Sequence, residues 1–182
     1  MLKSSSWIKE YSLKHSLLDP FIDHSERKNT ISYGLGPYGY DLRLAKEYKK
    51  IKSSDISIDP YNITDDDYES LSEDIIEIPP NSYILGKSLE YIKMPNKIIG
   101  LVFGKSTYAR SGILVNVTPV EPEWEGFLTI SISNVSGNSV KLHPLQGIAQ
   151  IIFFESDLPP LFSYNDLNGK YNKQNGIVIS KV

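Results

Sequence analysis

The stretch GKSTYARSGILVNVTPVEPEWEGFLTISISN, residues 104–134, contains two short apolar runs, GILVNVTPV and GFLTISISN, set apart by glycine, proline and acidic residues. In the second run Leu128, Ile130 and Ile132 alternate with the hydroxyl residues Thr129, Ser131 and Ser133. That period of two is the mark of a strand with one face in the core and one polar face. Similar runs lie on either side, IIEIPPNSYILG, LEYIKMP and KIIGLVFG upstream and GIAQIIFFES downstream, each bounded by turn residues. The chain therefore reads as mainly β. Trp7, Tyr11 and Leu18, with Leu17 nearby and serines ahead of them, predict one N-terminal amphipathic helix starting near Ser5 or Ser6.

A length of 182 residues suits a single domain, 1–182, and 40% hydrophobic residues suit a folded globule. A net charge of -3, with no helix-length basic run, argues against nucleic acid as a partner. The first residues, MLKSSSWIKEYSLKH, lack the apolar segment of a signal peptide, and no run approaches the length of a membrane span. A cytoplasmic protein with no membrane partner is the expectation. The absence of cysteine removes disulfides, thiolate catalysis and the Cys ligands of zinc deaminases. His15, His24 and His143 are scattered, and the seven acidic residues between Asp59 and Asp74 have no ligand spacing, so they read as a solvated loop and no metal site is assigned.

GLVFGKST looks at first like a phosphate-binding Walker loop, but only three residues separate Gly100 from Gly104 where that motif needs four. ATPase chemistry is rejected on that spacing. The turn is still rich in phosphate-binding groups, with Lys105, Ser106 and Thr107 followed by Arg110.

Residues 104–134, together with PYGYDLRL upstream, GIAQIIFFES downstream and GKYNKQNG near the end, resemble the dCTP deaminase family, relatives of the trimeric dUTPases. The likeness runs from Trp7 to Ile179. It implies a distorted β-barrel of the β-clip, dUTPase-like type with one N-terminal helix and few short helices, and a C-terminal flap at about 160–182. It also implies a homotrimer with nucleotide sites between subunits, binding dCTP or dUTP. The reaction it implies is zinc-free hydrolysis of dCTP to dUTP and ammonia, with Mg2+ on the triphosphate.

Residue by residue, the resemblance assigns nucleotide contact to Lys105, Ser106, Thr107 and Arg110, with Ser106 helping to hold the reactive water and Arg110 facing the phosphates. The guanidinium fork suits that task. Glu121 matches an acidic position near the deoxyribose, Thr129, Ile130 and Ser131 match the strand that lines the base, and Gln150 is a further contact. Tyr164, Lys170 and Gln174 match a tail that folds over the triphosphate, where Gly169 and Gly176 would let it bend.

The strand departs from the family at one place. The family reads T-L-E there, whereas this chain reads Thr129, Ile130, Ser131. Attack at C4 of cytosine needs a group to take a proton from water and deliver it onward, which a carboxylate does near neutral pH and an unactivated serine does not. Losing general acid-base catalysis costs about 10² to 10⁴-fold in rate. Glu123 and Glu125 precede the strand and are the nearest substitutes in sequence. Three readings follow: a dCTP deaminase whose base is supplied unusually or whose activity is weak, a dUTPase-type nucleotide pyrophosphatase in which Glu121 positions water for the α-phosphate, and a non-catalytic nucleotide-binding trimer or regulator.

Overall fold

A computed structural model describes residues 1–52, 57–162, 164, 166–167 and 169–182. Helix α1 (Ser5–His15) opens the chain, and its Trp7 and Tyr11 rings stack at 4.8 Å, as their spacing of four predicts. It is shorter than the pattern implied. Ser16 turns left-handed at φ 54 and ends it, so Leu17 and Leu18 reach the core from beyond the helix, Leu18 within strand β1 (Leu18–Asp19). Then follow β2 (Ser25–Glu26), β3 (Tyr33–Gly36), β4 (Gly39–Ile51), β5 (Tyr68–Ser72), β6 (Ile76–Ile78), β7 (Ser82–Lys93) and β8 (Ile98–Gly104). The one-turn helix α2 (Ser106–Ala109) leads into β9 (Ile113–Asn116), β10 (Glu125–Asn134), β11 (Val140–Leu142) and β12 (Gly147–Glu155).

The mainly-β reading holds, with the strands curled into a half-barrel. The main path runs β2-β3-β4-β7-β10-β9; β5 joins β4, β1 joins β7, and β12 bridges β4 and β8, while β6 and β11 form a separate ribbon. The curl has an identifiable origin in β4. Its first part, Tyr40 to Arg43, pairs with β12, and its later part, Leu44 to Lys49, pairs with β7. Where the strand changes partner, the buried Glu90 of β7 accepts the backbone N–H of Arg43 at 2.9 Å and its Nε–H at 2.7 Å. The carboxylate thus takes a donor that the ladder leaves over, as a buried N–H requires.

β10 alternates without a break: Leu128, Ile130 and Ile132 face the core and Thr129, Ser131 and Ser133 stand on the other, partly exposed face. Its pairing with β7 slips between Phe127 and Thr129, where the N–H of Leu128 bonds instead to the buried Ser88 hydroxyl at 2.9 Å. Gly86 of β7 lies opposite Ile130, and a Cβ there would come within 2.8 Å of Leu44 Cδ1.

The acidic run is not the free loop its composition suggests. From Tyr68 it enters β5, and its carboxylates pair with the lysines of β4: Lys46 with Asp74 at 2.6 Å, Lys50 with Glu69 at 3.2 Å, and Lys49 with Asp65. The Tyr48 hydroxyl donates to Glu73 at 3.0 Å. Among the described residues no helix is long and apolar enough to cross a membrane.

Candidate functional site

The polar face of β10 forms the floor of a cavity of about 570 Å³. Thr129 and Ser131 come from β10, Tyr83 and Leu85 from β7, and Asn116 from β9. Register explains the grouping: Ser131 is paired with Leu85 on one side and with Asn116 on the other. The segment after β9 supplies a wall that includes Glu121 and Trp124, β5 contributes Tyr68, and the C-terminal segment closes the top with Tyr164, Tyr171 and Gln174. Aromatic and aliphatic walls with a few hydrogen-bonding groups are the usual makeup of a small-molecule site.

Five of the predicted residues meet in this cavity: Glu121, Thr129, Ser131, Tyr164 and Gln174. Glu121 is exposed at its edge. The Ser131 hydroxyl has no hydrogen-bond partner among the described residues. Thr129 differs, because its hydroxyl donates to Gln174 Oε1 at 3.1 Å and accepts the N–H of Val178 at 3.0 Å, so its first role is to hold the tail. Ile130 belongs to the same strand, but its side chain is in the core, which leaves only its backbone for any ligand contact.

The C-terminal segment is laid along the start of β10. Trp124 Nε1 donates to the Tyr171 carbonyl at 2.6 Å, the N–H of Phe127 to the Gln174 carbonyl at 3.0 Å, and the N–H of Lys173 to the Glu125 carbonyl at 2.8 Å. Gly126, at φ 149, makes this possible, since a Cβ there would stand 2.8 Å from the Gln174 nitrogen. Gly169 serves in a similar way by letting the Tyr164 ring lie against the backbone, whereas Gly176 faces open space. Lys170 is exposed and donates to the Lys181 carbonyl at 3.3 Å; it does not line the cavity.

The other predicted residues sit in a second place. Ser106, Thr107 and Arg110 are exposed around α2, with Arg110 Nη1 folded back onto the Ser106 carbonyl at 2.9 Å. Lys105 instead points inward, donating to Asp41 Oδ2 at 2.5 Å and to Ser32 Oγ at 2.8 Å. Gln150 donates to the other Asp41 oxygen at 3.1 Å. Asp41 comes from the PYGYDLRL motif and gathers these groups, a role that the sequence alone did not show. The GLVFGKST turn leads into a helix of a single turn.

Neither candidate for a substitute base lies in the cavity. Glu123 does not line it, and Glu125, at the start of β10, has its carboxylate 3.9 Å from Lys173. Glu121 is the one carboxylate, and no Lys, Arg or His is found, among the described residues lining the cavity. Sequence reading missed Tyr68, Tyr83, Asn116, Trp124 and Tyr171. Alternation along GILVNVTPV would have flagged Asn116; nothing local marks Tyr68, which arrives through the long-range pairing of β5 with β4.

Residues 8–156 match the dCTP deaminase-like family. The chain belongs to that family. Relatives named dCTP deaminase include one from Chloroflexus aggregans, 43% identical over 182 residues that cover 100% of this chain and 98% of the relative. Another, from Chlamydia caviae, is 44% identical over 185 residues, covering 98% of this chain and 97% of the relative. Among solved structures, the 2'-deoxycytidine 5'-triphosphate deaminase of Agrobacterium tumefaciens superposes with a TM-score of 0.65 over 85% of this chain and 48% of that one. At 15% identity that likeness speaks for the fold. The family match takes in α2, β10 and Gln150 of this dCTP deaminase-like chain and stops before Tyr164, Lys170 and Gln174, so the tail is covered by the full-length relatives alone.

Proposed function

We propose that this chain binds a pyrimidine deoxynucleoside triphosphate, dCTP or dUTP, and that it performs the zinc-free deamination of dCTP slowly, because Ser131 occupies the place of the family's general base. The supporting observation is the convergence of Glu121, Thr129, Ser131, Tyr164 and Gln174, from three separate segments, on one cavity with aromatic walls. Its size and lining suit a base and sugar. Water attacking C4 must lose a proton, and the ring and departing ammonia must gain protons; Ser131 offers a hydroxyl and no partner base to activate it.

The phosphates need a different source of charge. With no cation lining the cavity among the described residues, three phosphates placed at its mouth would be uncompensated. The exposed Ser106, Thr107 and Arg110 supply donors suited to phosphate, and they are flanked by Phe103 and Leu114, 54% and 56% exposed. We infer a homotrimer in which one protomer gives the cavity and its neighbour gives the α2 turn, the apolar flanks being covered on assembly. Among the described residues no group of three or more carboxylate or imidazole side chains could cage a metal ion. Magnesium therefore fits as an ion carried on the triphosphate, neutralising phosphate charge, and not as one held in a protein cage.

A pyrophosphatase of the dUTPase kind is the second reading, favoured by Glu121 being the one carboxylate among the described residues of the cavity and being itself exposed. Incubation with dCTP and with dUTP, followed by chromatography, separates the readings. Slow formation of dUTP from dCTP supports deamination, while monophosphate and pyrophosphate would establish the second reading. Binding without any product would leave a nucleotide-binding regulator.

A further inference from the structure

Next to Ser131 the cavity holds hydrogen-bonding groups that no motif above accounts for. Ser133 is paired with Tyr83 and Ser131 with Leu85, which makes Tyr83 the diagonal neighbour of Ser131 on the cavity face. Asn116 flanks Ser131 from the other side. Tyr68, only 8% exposed, reaches in from β5 to the same cavity. All four line the cavity.

Their chemistry has one property in common. A hydroxyl both donates and accepts and rotates to suit its partner, and a carboxamide carries a donor and an acceptor side by side. Thr129 does not join them, since Gln174 and Val178 already engage its hydroxyl. Cytosine presents an acceptor at N3 beside a donor amine, and uracil presents a donor at N3 beside an acceptor oxygen. An ionised carboxylate at position 131 would accept only, and would favour the amine. Sites of fixed polarity reject a mismatched partner because a buried polar group is left unpaired. Groups of reversible polarity leave nothing unpaired with either base.

Resting on the reading that the cavity takes a pyrimidine, we propose that Tyr83 and Tyr68 form with Asn116 and Ser131 a base-edge subsite of reversible polarity. Amino- and oxo-pyrimidine deoxynucleotides then bind about equally well. Burial raises the pKa of Tyr68, so its hydroxyl keeps its proton through the neutral range.

Trp124 in the cavity wall provides the signal: quenching of its fluorescence by dCTP and by dUTP, read immediately after mixing and before turnover, gives both affinities. For the unaltered protein the two dissociation constants should agree within about threefold. Ser131→Glu should shift the ratio toward dCTP by about tenfold or more, and Tyr83→Phe should weaken both nucleotides by about three- to tenfold without shifting the ratio, the loss expected for one hydrogen bond. A preference above about tenfold in the unaltered protein, an unmoved ratio in Ser131→Glu, or unchanged affinities in Tyr83→Phe would each overturn the subsite. Absence of binding to either nucleotide would instead remove the pyrimidine reading, and the subsite with it.

Discussion

Thr129 and Gln174 are fastened to each other: the threonine hydroxyl donates to Gln174 Oε1 at 3.1 Å while accepting the N–H of Val178 at 3.0 Å. One hydroxyl on β10 therefore secures two points of the C-terminal segment. Thr129→Val keeps the shape and removes both bonds. At about 0.5 to 1.5 kcal/mol each, their loss should speed proteolytic cleavage within 171–180 by about tenfold, with little change in the melting of the body. An unchanged cleavage rate, followed by mass spectrometry, would show that the backbone contacts at Gly126 hold the segment by themselves.

Lys105 and Asp41 form an ion pair at 2.5 Å with side chains only 13% and 11% exposed. Removing the lysine leaves a largely buried carboxylate with Gln150 as its remaining partner. Lys105→Met should cost about 3 kcal/mol in urea unfolding, and Asp41→Asn in the same chain should recover much of that loss. Additive losses in the double variant would mean that the two residues act independently.

Glu90 sets a pH dependence. Burial holds its carboxyl above the ordinary glutamate value of 4.5, with the hydrogen bonds and charge of Arg43 pulling the other way without cancelling the effect. A folded-state pKa above the unfolded one means that the folded chain binds the extra proton between the two values. Stability from this group is therefore full below the unfolded pKa and is lost as pH rises through the folded one. Glu90→Gln removes the titration, so the stability of the unaltered protein relative to the variant should decline from about pH 4.5 upward. Urea midpoints measured across that range check the slope; a constant difference would contradict it.

Arg110 is exposed and, among the described residues, its side chain is bonded only to its own turn, so its substitution tests phosphate binding without disturbing the core. Arg110→Ala should weaken dCTP and dUTP by about 1.5 to 3 kcal/mol, the range for hydrogen bonds to charged groups, and should change deoxynucleoside binding little. Calorimetry with the triphosphates and the nucleosides decides this, and equal losses for both classes would separate α2 from the phosphates.

Much of the architecture can be read from β10 because its apolar and hydroxyl residues alternate without interruption. β7 defeats the same method: Ser88 and Glu90 lie on its core face, while Leu85 is on the cavity face. The polar residues are inside because one fills the slip beside Leu128 and the other the point where β4 changes partner. At the site, the motifs singled out Thr129, Ser131, Tyr164 and Gln174, which line the cavity, and Lys170, which does not. The inward turn of Lys105 could not be read from them, since it depends on Asp41 and Ser32, which are distant in sequence.

Ser131→Glu places a carboxylate where the hydroxyl of Ser131 now has no partner among the described residues. Asn116 and Tyr83 beside it can donate to the new group, so it need not be buried bare. Ammonia release from dCTP should rise by about 10² to 10⁴-fold over the unaltered protein at equal folding and assembly. Efficient release by the unaltered protein with no gain in the variant would mean that the proton-transfer group lies elsewhere.

The lysine edge of β4 and the acidic residues facing it give one wall of the cavity a different character from the others. Tyr68 opens β5, the strand secured at its flanks by Lys46, Lys49 and Lys50, and each of these ion pairs includes a solvent-exposed carboxylate. Pairs of that kind weaken as ionic strength rises, whereas the apolar packing beneath β7 and β10 does not. The Tyr68 side of the cavity thus rests in part on contacts that salt screens, and the floor bearing Ser131 rests on packing that it does not.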